Sequence, residues 1–226
     1  MLSPAALATL AGLVICDSLC GEVCETAAKT SADSKPEWSF SFEALTYLAQ
    51  HARDYANPNF TADNGWLHLE ARYNYEALKT GSVWLGYNVP AFNITRDFKV
   101  ETATPMLGGV FGDLTGAAPG YLVEVTYKET ITASTQGEYF LDAGNNSRNF
   151  FYSWSEFSAP LPKLDCIRAG LVVERTQASG NSDVRRGPLV GFKHKVKGND
   201  VELTAYWLAP GSREATFVFG LRVEFQ

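Results

Sequence analysis

WLHLEARYNY, residues 66–75, alternates apolar and polar side chains over its whole length. Its apolar face consists of Leu67, Leu69, Ala71, Tyr73 and Tyr75. Its opposite face consists of Trp66, His68, Glu70, Arg72 and Asn74. Because successive side chains of a β-strand point to opposite sides, a period of two predicts a strand with one apolar and one polar face.

The same period continues along the rest of the chain and predicts eleven strands, separated by turn sequences rich in glycine, asparagine and proline. These strands cover about residues 38–47, 66–75, 82–89, 97–111, 121–128, 130–142, 149–158, 167–174, 187–195, 201–207 and 216–225. Residues 43–53 also fit a helical period, so we interpret them as a candidate helical loop insert. The segments 57–61 and 176–185 predict long polar loops.

The strand pattern predicts an all-β fold, and specifically an antiparallel up-and-down β-barrel. A closed antiparallel barrel with both chain ends on one side needs an even number of strands, so we expect ten or twelve. No internal linker interrupts residues 38–226, which we therefore interpret as one barrel domain.

Composition narrows the class of protein. Only 19% of the 226 residues are charged and 13% are aromatic, and the net charge is -6. A nucleic-acid-binding protein needs clustered lysine and arginine, so this charge argues against that class. The mean hydropathy of -0.12 argues against a helical membrane protein. It leaves a membrane barrel open, because only alternate residues there must be apolar.

The N-terminal segment has the outline of a secretory signal. Residues 2–16 are apolar but too short to span a bilayer as a helix, and small residues follow them. We interpret residues 1–28 as a signal segment and residues 29–37 as a polar leader. No lysine or arginine precedes Lys29, which departs from that outline. A lipid on Cys16 or Cys20 is an alternative that the sequence leaves open.

The polar faces of the strands favour a membrane barrel over a soluble one. They carry glycine among paired charges, and we expect the pairs Lys99 with Glu101, Arg168 with Glu174, and Arg222 with Glu224. Such a face suits a crowded polar lumen better than an open, water-facing wall. The apolar faces carry aromatic residues near strand ends, as interface girdles require. These aromatics are Tyr73, Tyr75, Tyr87 and Phe225.

In this pattern the chain resembles the bacterial outer-membrane β-barrels as a class. The resemblance covers about residues 38–226, and the run FVFGLRVEF at 217–225 looks like the terminal strand that such proteins offer to the assembly machinery. The chain departs from that strand in ending on Gln226 rather than on an aromatic residue. The resemblance implies the outer membrane as location, and the lipid bilayer and the assembly machinery as partners.

Ten residues are candidates for the inner wall of the barrel. They are His68, Glu70, Arg72, Trp84, Lys99, Glu101, Arg168, Glu174, Arg222 and Glu224. The charged members other than Lys99 and Glu101 could form one layer across the lumen, acting as a selectivity zone or as a salt-bridged plug. We predict no metal, cofactor or catalytic residue.

The predicted function is therefore a small outer-membrane channel, or a structural envelope protein with a plugged lumen. One alternative is a soluble periplasmic or secreted barrel that binds a small apolar ligand. A second is a membrane-embedded enzyme that modifies lipids through His51, His68 or His194. Neither a G-x-S-x-G elbow nor an H-E-x-x-H zinc motif occurs in the sequence.

Overall fold

The structure, a computed structural model, describes residues 37–49, 51, 53–144 and 148–225. The strands within them are β1 Ser39–Ala49, β2 Tyr55–Asn64, β3 Leu67–Tyr73, β4 Thr80–Tyr87, β5 Phe92–Asn93, β6 Phe98–Gly112, β7 Gly116–Tyr127, β8 Ile131–Asp142, β9 Phe150–Leu161, β10 Leu164–Ala178, β11 Asn181–Val196, β12 Asn199–Leu208 and β13 Thr216–Phe225.

Twelve of these strands close into one antiparallel barrel. Consecutive strands pair with one another, β4 pairs directly with β6, and β1 pairs with β13 to close the ring. The two-residue β5 pairs with β6 outside this ring. The barrel confirms the predicted fold class, at the higher of the two expected strand numbers. Within the described residues, no helix is both long and apolar enough to cross a membrane.

The strand that the sequence did not predict is β2, because segment 57–61 was interpreted as a polar loop. In the structure this segment lies inside β2 and pairs with both β1 and β3. Its inward positions are Asn57, Asn59 and Thr61, and its outward positions include Pro58. Asparagine and proline are depleted in strands, so the alternation is real but is carried by residues that normally signal a turn.

Two further expectations about local structure were wrong. Residues 43–49 belong to β1 rather than to a helical insert, and their side chains alternate between the lumen and the exterior. Residues 176–185 form the ends of β10 and β11 rather than a long loop. The turn between them has only two residues, Ser179 and Gly180, with φ of 46° and 84°. Positive φ at both positions matches the type I′ turn that closes two-residue hairpins.

The barrel presents its apolar face to the outside. The outward side chains of Val83, Leu85, Leu107 and Leu171 are 54–60% exposed, in the middle part of their strands. A soluble barrel buries its apolar face inside, whereas a membrane barrel carries an apolar band on its exterior. The observed orientation is therefore that of a barrel surrounded by lipid.

Aromatic residues flank this apolar band at both ends. Trp66 stacks on Tyr87 at one end, with ring centroids 6.0 Å apart, and Trp207 stacks on Phe217 at the other, at 5.5 Å. Tyrosine and tryptophan favour the boundary between apolar and aqueous regions. Tyr75, which we expected in this girdle, instead lies inside the barrel. β3 ends at Tyr73, and the next residue has a φ of 59°, which breaks the alternation of faces.

The two ends of the barrel differ in their connections. At the end that holds Ser39 and Phe225, four connections have two or three residues, and the fifth, residues 88–97, contains β5. We call this the turn end. At the opposite end four of the six connections, 50–54, 74–79, 143–149 and 209–215, have five to seven residues, and the other two, 113–115 and 179–180, have three and two. We call this the loop end.

Several predictions fall on residues outside the described ranges. The signal segment 1–28, the possible lipid sites Cys16 and Cys20, nearly all of the polar leader 29–37, and Gln226 all lie there. These assignments stay predictions.

Candidate functional site

A buried ion-pair cluster centred on Arg72 occupies the loop-end half of the lumen. The alternation of β3 directs His68, Glu70 and Arg72 inward. The Arg72 guanidinium donates to both carboxylate oxygens of Glu70, from Nε at 2.9 Å and from Nη2 at 2.8 Å, and from Nη1 to Glu138 at 2.9 Å. Arg72, Glu70 and Glu138 are 6%, 5% and 1% exposed. One cation thus holds two carboxylates that water scarcely reaches.

Two aromatic rings sandwich the same guanidinium. Its central carbon lies 4.3 Å from the ring centroid of Trp84 and 4.4 Å from that of Tyr75. Glycine makes room for Trp84, because a Cβ at Gly108 would lie 2.6 Å from the indole, and one at Gly120 would lie 2.8 Å from it. The sequence predicts glycine on the polar, lumen-facing side of the strands, and Gly108 and Gly120 both face the lumen.

A second, apolar cluster fills the lumen on the side of β1 and β9–β13. Tyr75 joins it to the Arg72 cluster, because its ring packs edge-on against Tyr152 with centroids 5.4 Å apart, and Tyr152 packs on the apolar cluster. The combined layer crosses the lumen, and we call it the septum. Its members are Leu45, Tyr47, Glu70, Arg72, Tyr75, Trp84, Met106, Glu138, Tyr152, Trp154, Val172, Leu189 and Val218.

On the turn-end side of the septum the lumen is open. The part next to the septum is a cavity of about 440 Å³, which Leu45 and Trp154 of the septum help to line. Two shallower cavities continue from it toward the rim at Ser39 and Phe225. We call these three spaces together the turn-end vestibule.

Ion pairs also hold the side chains of the turn-end vestibule. Arg168 donates to Glu156 at 2.8 Å and to Glu202 at 2.6 Å. The expected pair of Arg168 with Glu174 is therefore wrong, since Glu174 pairs with Arg185 at 2.5 Å. Period-two alternation fixes which face a residue takes, but it does not fix its height in the barrel, and the height decides its partners.

The other expected pairs are present, at different heights. Lys99 pairs with Glu101 at 2.6 Å and Arg222 with Glu224 at 3.0 Å. His68 contacts Asp63 through Nδ1 at 2.8 Å. These pairs lie toward the turn end, whereas the Arg72 cluster and the Glu174 pair lie in the loop-end half. The expectation of a single charged layer is wrong, because the charges form separate clusters along the axis.

Carboxylates outnumber cations in the turn-end vestibule. Among the described residues eight carboxylates line it: Glu43, Asp63, Glu101, Glu124, Glu156, Asp200, Glu202 and Glu224. Seven basic side chains face them when Lys99, the partner of Glu101, is counted: His68, Lys99, Arg168, Lys193, Lys195, Lys197 and Arg222. The carboxylates exceed the basic groups by one even when His68 is counted as a cation, so a passing cation meets a more favourable potential than an anion.

On the loop-end side of the septum lies a separate cavity of about 390 Å³. Five aromatic rings line it, together with Asn57, Glu76 and the Glu174–Arg185 pair. The rings belong to Tyr47, Tyr55, Tyr75, Phe150 and Tyr152. Burial raises the pKa of Glu76, which lies in the turn after β3, while Ser82 and Arg72 oppose that shift. We call this space the loop-end cavity.

The three histidines lie apart from one another. His51 is exposed at the loop end, His68 lies near the turn end of the lumen, and His194 stacks on Phe192 on the outer face. Within the described residues no group of three or more His, Cys, Asp or Glu side chains could hold a metal ion.

The sequence analysis missed several inward polar residues. Glu138 and Glu156 both lie on predicted strands, and Asp63 lies on the strand that was not predicted. A signal for Glu138 was available, because residues 138–142 alternate Glu, Tyr, Phe, Leu, Asp with the carboxylates on one face. Because the apolar Phe140 lies between the two carboxylates on that face, the face does not look polar in the sequence.

The comparisons with known proteins bear on the fold of the chain. No protein-family model matches the chain, and no curated protein matches it. Among solved structures the chain is similar to the KdgM porin, with a TM-score of 0.52 and 8% identity over 82% of this chain and 98% of that one. It is also similar to the NanC porin, with a TM-score of 0.52 and 10% identity over 83% and 99%. At these identities the likeness shows the fold alone, which is that of outer-membrane porins.

Proposed function

We propose that the protein is a channel of the bacterial outer membrane for small solutes, with a preference for cations and with the septum as its narrowest point. One observation carries the proposal. The barrel has an apolar exterior, a charged turn-end vestibule and an aromatic-lined loop-end cavity that open toward opposite ends, and one layer of side chains separates the two spaces. A protein that served only as an apolar ligand carrier would instead need an apolar interior.

The fold supports a channel. The charges of the turn-end vestibule indicate that this channel prefers cations. A structure of the KdgM porin contains oligogalacturonate, which is a polyanion. In this chain the turn-end vestibule carries eight carboxylates against seven basic groups. Rings of acidic side chains favour cations in channels. We therefore propose small cations rather than acidic oligosaccharides as the solutes that pass most readily.

Membrane orientation follows from the connections. Outer-membrane barrels have short periplasmic turns and longer extracellular loops. The turn end would then face the periplasm and the loop end the outside. In this orientation β13 ends at the periplasmic side, where an assembly machinery that reads a terminal strand would meet it.

Recording in planar lipid bilayers under a KCl gradient tests this function. We expect discrete current steps and a zero-current potential of the sign that shows more K⁺ than Cl⁻ moving. The double variant Glu43→Gln/Glu124→Gln removes two vestibule charges without changing side-chain size, so it should shift that potential toward the anion side. Steps with no cation preference, or an unchanged potential in the variant, would contradict the charge argument.

A structural envelope protein with a permanently closed lumen is the second candidate. The dense packing of the septum favours it, because Val172, Leu189 and Val218 are 0–1% exposed at its centre. This candidate predicts no current steps from the wild type, and none from a variant in which the septum is thinned at Tyr75. Steps from the wild type would remove it.

A further inference from the structure

The loop-end cavity has the composition of a binding site. Tyr47 and Tyr55 stack with centroids 4.6 Å apart, and Tyr75 meets Tyr152 edge-on at 5.4 Å, so several ring faces and edges enclose one space of about 390 Å³. The turn residues Asn74 and Leu78 lie at its rim, on the loop-end side. A molecule could therefore enter from that side without crossing the septum.

The cavity contains polar groups that are free to form further hydrogen bonds or ion pairs. Asn57 is 6% exposed, and its carbonyl oxygen Oδ1 has no hydrogen-bond partner. Leaving a buried acceptor unpaired is unfavourable, so an atom of this kind is available to accept a hydrogen bond from a ligand or a water. Two carboxylates line the cavity, Glu76 and Glu174, and Arg185 pairs with only one of them.

We propose that the loop-end cavity binds a small organic cation of the alkylammonium class, with the tyrosine rings around its charged group and Glu76 as its counter-charge. A cation over an aromatic face is attracted by the ring quadrupole, and aromatic cages bind quaternary ammonium groups in this way. The chain already uses one ring of the cavity for this purpose, because Arg72 lies 4.4 Å from the Tyr75 centroid on the septum side.

The charges around the cavity disfavour an anionic ligand. Both guanidinium groups near it are engaged, Arg185 by Glu174 and Arg72 by Glu70 and Glu138. An acidic sugar would therefore find no uncommitted cation there among the described residues. A neutral sugar could stack on the rings, but it would leave Glu76 without a counter-charge, so its binding would not depend on that carboxylate.

Isothermal titration calorimetry with the refolded full-length protein tests the proposal. The probe is choline, and the matched neutral control is 3,3-dimethylbutan-1-ol, which has the same shape without the charge. The detergent should be a polyoxyethylene ether, since it carries neither a quaternary nitrogen nor a sugar. We expect choline to bind at least about tenfold more tightly than the neutral isostere, because the cation–π attraction is lost without the charge.

Variants localise the binding. Glu76→Gln should weaken choline binding about tenfold, as expected for a desolvated charge contact worth about 1.4 kcal/mol. Tyr55→Leu should weaken it as well, whereas Tyr55→Phe keeps the ring and should not. Glu129→Gln changes an exposed carboxylate in the turn between β7 and β8, on the far side of the septum, so choline should bind that variant as it binds the wild type.

The outcomes separate this inference from the proposed channel function. Equal binding of choline and its isostere, no binding of either, or tighter binding of the neutral disaccharide maltose would each overturn the cation site. An unchanged affinity in Glu76→Gln would do the same. Conduction is measured separately and its charge preference is assigned to the turn-end vestibule, so a failure here would leave that proposal standing.

Discussion

Replacing Arg72 by alanine removes the one cation that holds two buried carboxylates. The side chains of Glu70 and Glu138 are each 1% exposed in their ion pairs, and the three bonds from Arg72 measure 2.8–2.9 Å. After the substitution both carboxylates would remain in the septum without this counter-charge. The packing of Trp84 and Tyr75 against the guanidinium would be lost at the same time.

The expected cost can be bounded by comparing buried with exposed pairs. Breaking a buried ion pair by removing one partner typically costs about 3–5 kcal/mol, because it leaves an uncompensated charge. Arg222 offers a matched control, since it pairs with Glu224 at side-chain exposures of 49% and 43%. Exposed pairs contribute about 0–1 kcal/mol. We therefore expect Arg72→Ala to lower the free energy of unfolding by several times more than Arg222→Ala.

Equilibrium urea unfolding in detergent micelles, followed by tryptophan fluorescence, measures both losses. The double variant Arg72→Ala/Glu138→Gln should recover part of the stability, because one of the two uncompensated carboxylates becomes neutral. Equal midpoints for Arg72→Ala and Arg222→Ala would refute the reasoning. So would a double variant that is less stable than Arg72→Ala alone.

Three further predictions test the packing, the septum and the exterior. Gly108→Ala places a Cβ 2.6 Å from the Trp84 ring and should cost about 1–3 kcal/mol in the same unfolding assay; an unchanged midpoint would contradict this. Tyr75→Ala removes the contact with Tyr152 that joins the two halves of the septum, so single-channel conductance should rise above the wild-type value rather than stay equal. Leu85→Arg places a charge on the lipid face and should cost about 2–4 kcal/mol in lipid vesicles, and a cost near zero would mean that this face meets water.

The wall of the barrel could be predicted from the sequence because alternation depends only on local chemistry. In β3 and β13 the apolar and polar positions follow a strict period of two, and the structure places them on opposite faces as expected. The strand number was nearly right for the same reason. The strand that the sequence did not predict is β2, because Pro58 and the neighbouring asparagines resemble a turn sequence.

The interior could be predicted only in part, because partners depend on register and height. Nothing local to Arg168 indicates that Glu156 and Glu202 lie beside it, since these carboxylates are 12 and 34 residues away along the chain. Tyr75 shows a second reason why the interior could not be predicted fully. One residue with positive φ at the end of β3 moves its ring from the expected girdle into the septum, where the ring also lines the loop-end cavity.

Membrane fractionation of the expressed protein, with electrophoresis before and after boiling, tests most directly whether the apolar face of the barrel meets lipid. We predict recovery in the outer membrane and a faster-migrating band without boiling, because a closed barrel resists detergent until it is heated. Recovery in the aqueous fraction with no difference between the two samples would contradict the account.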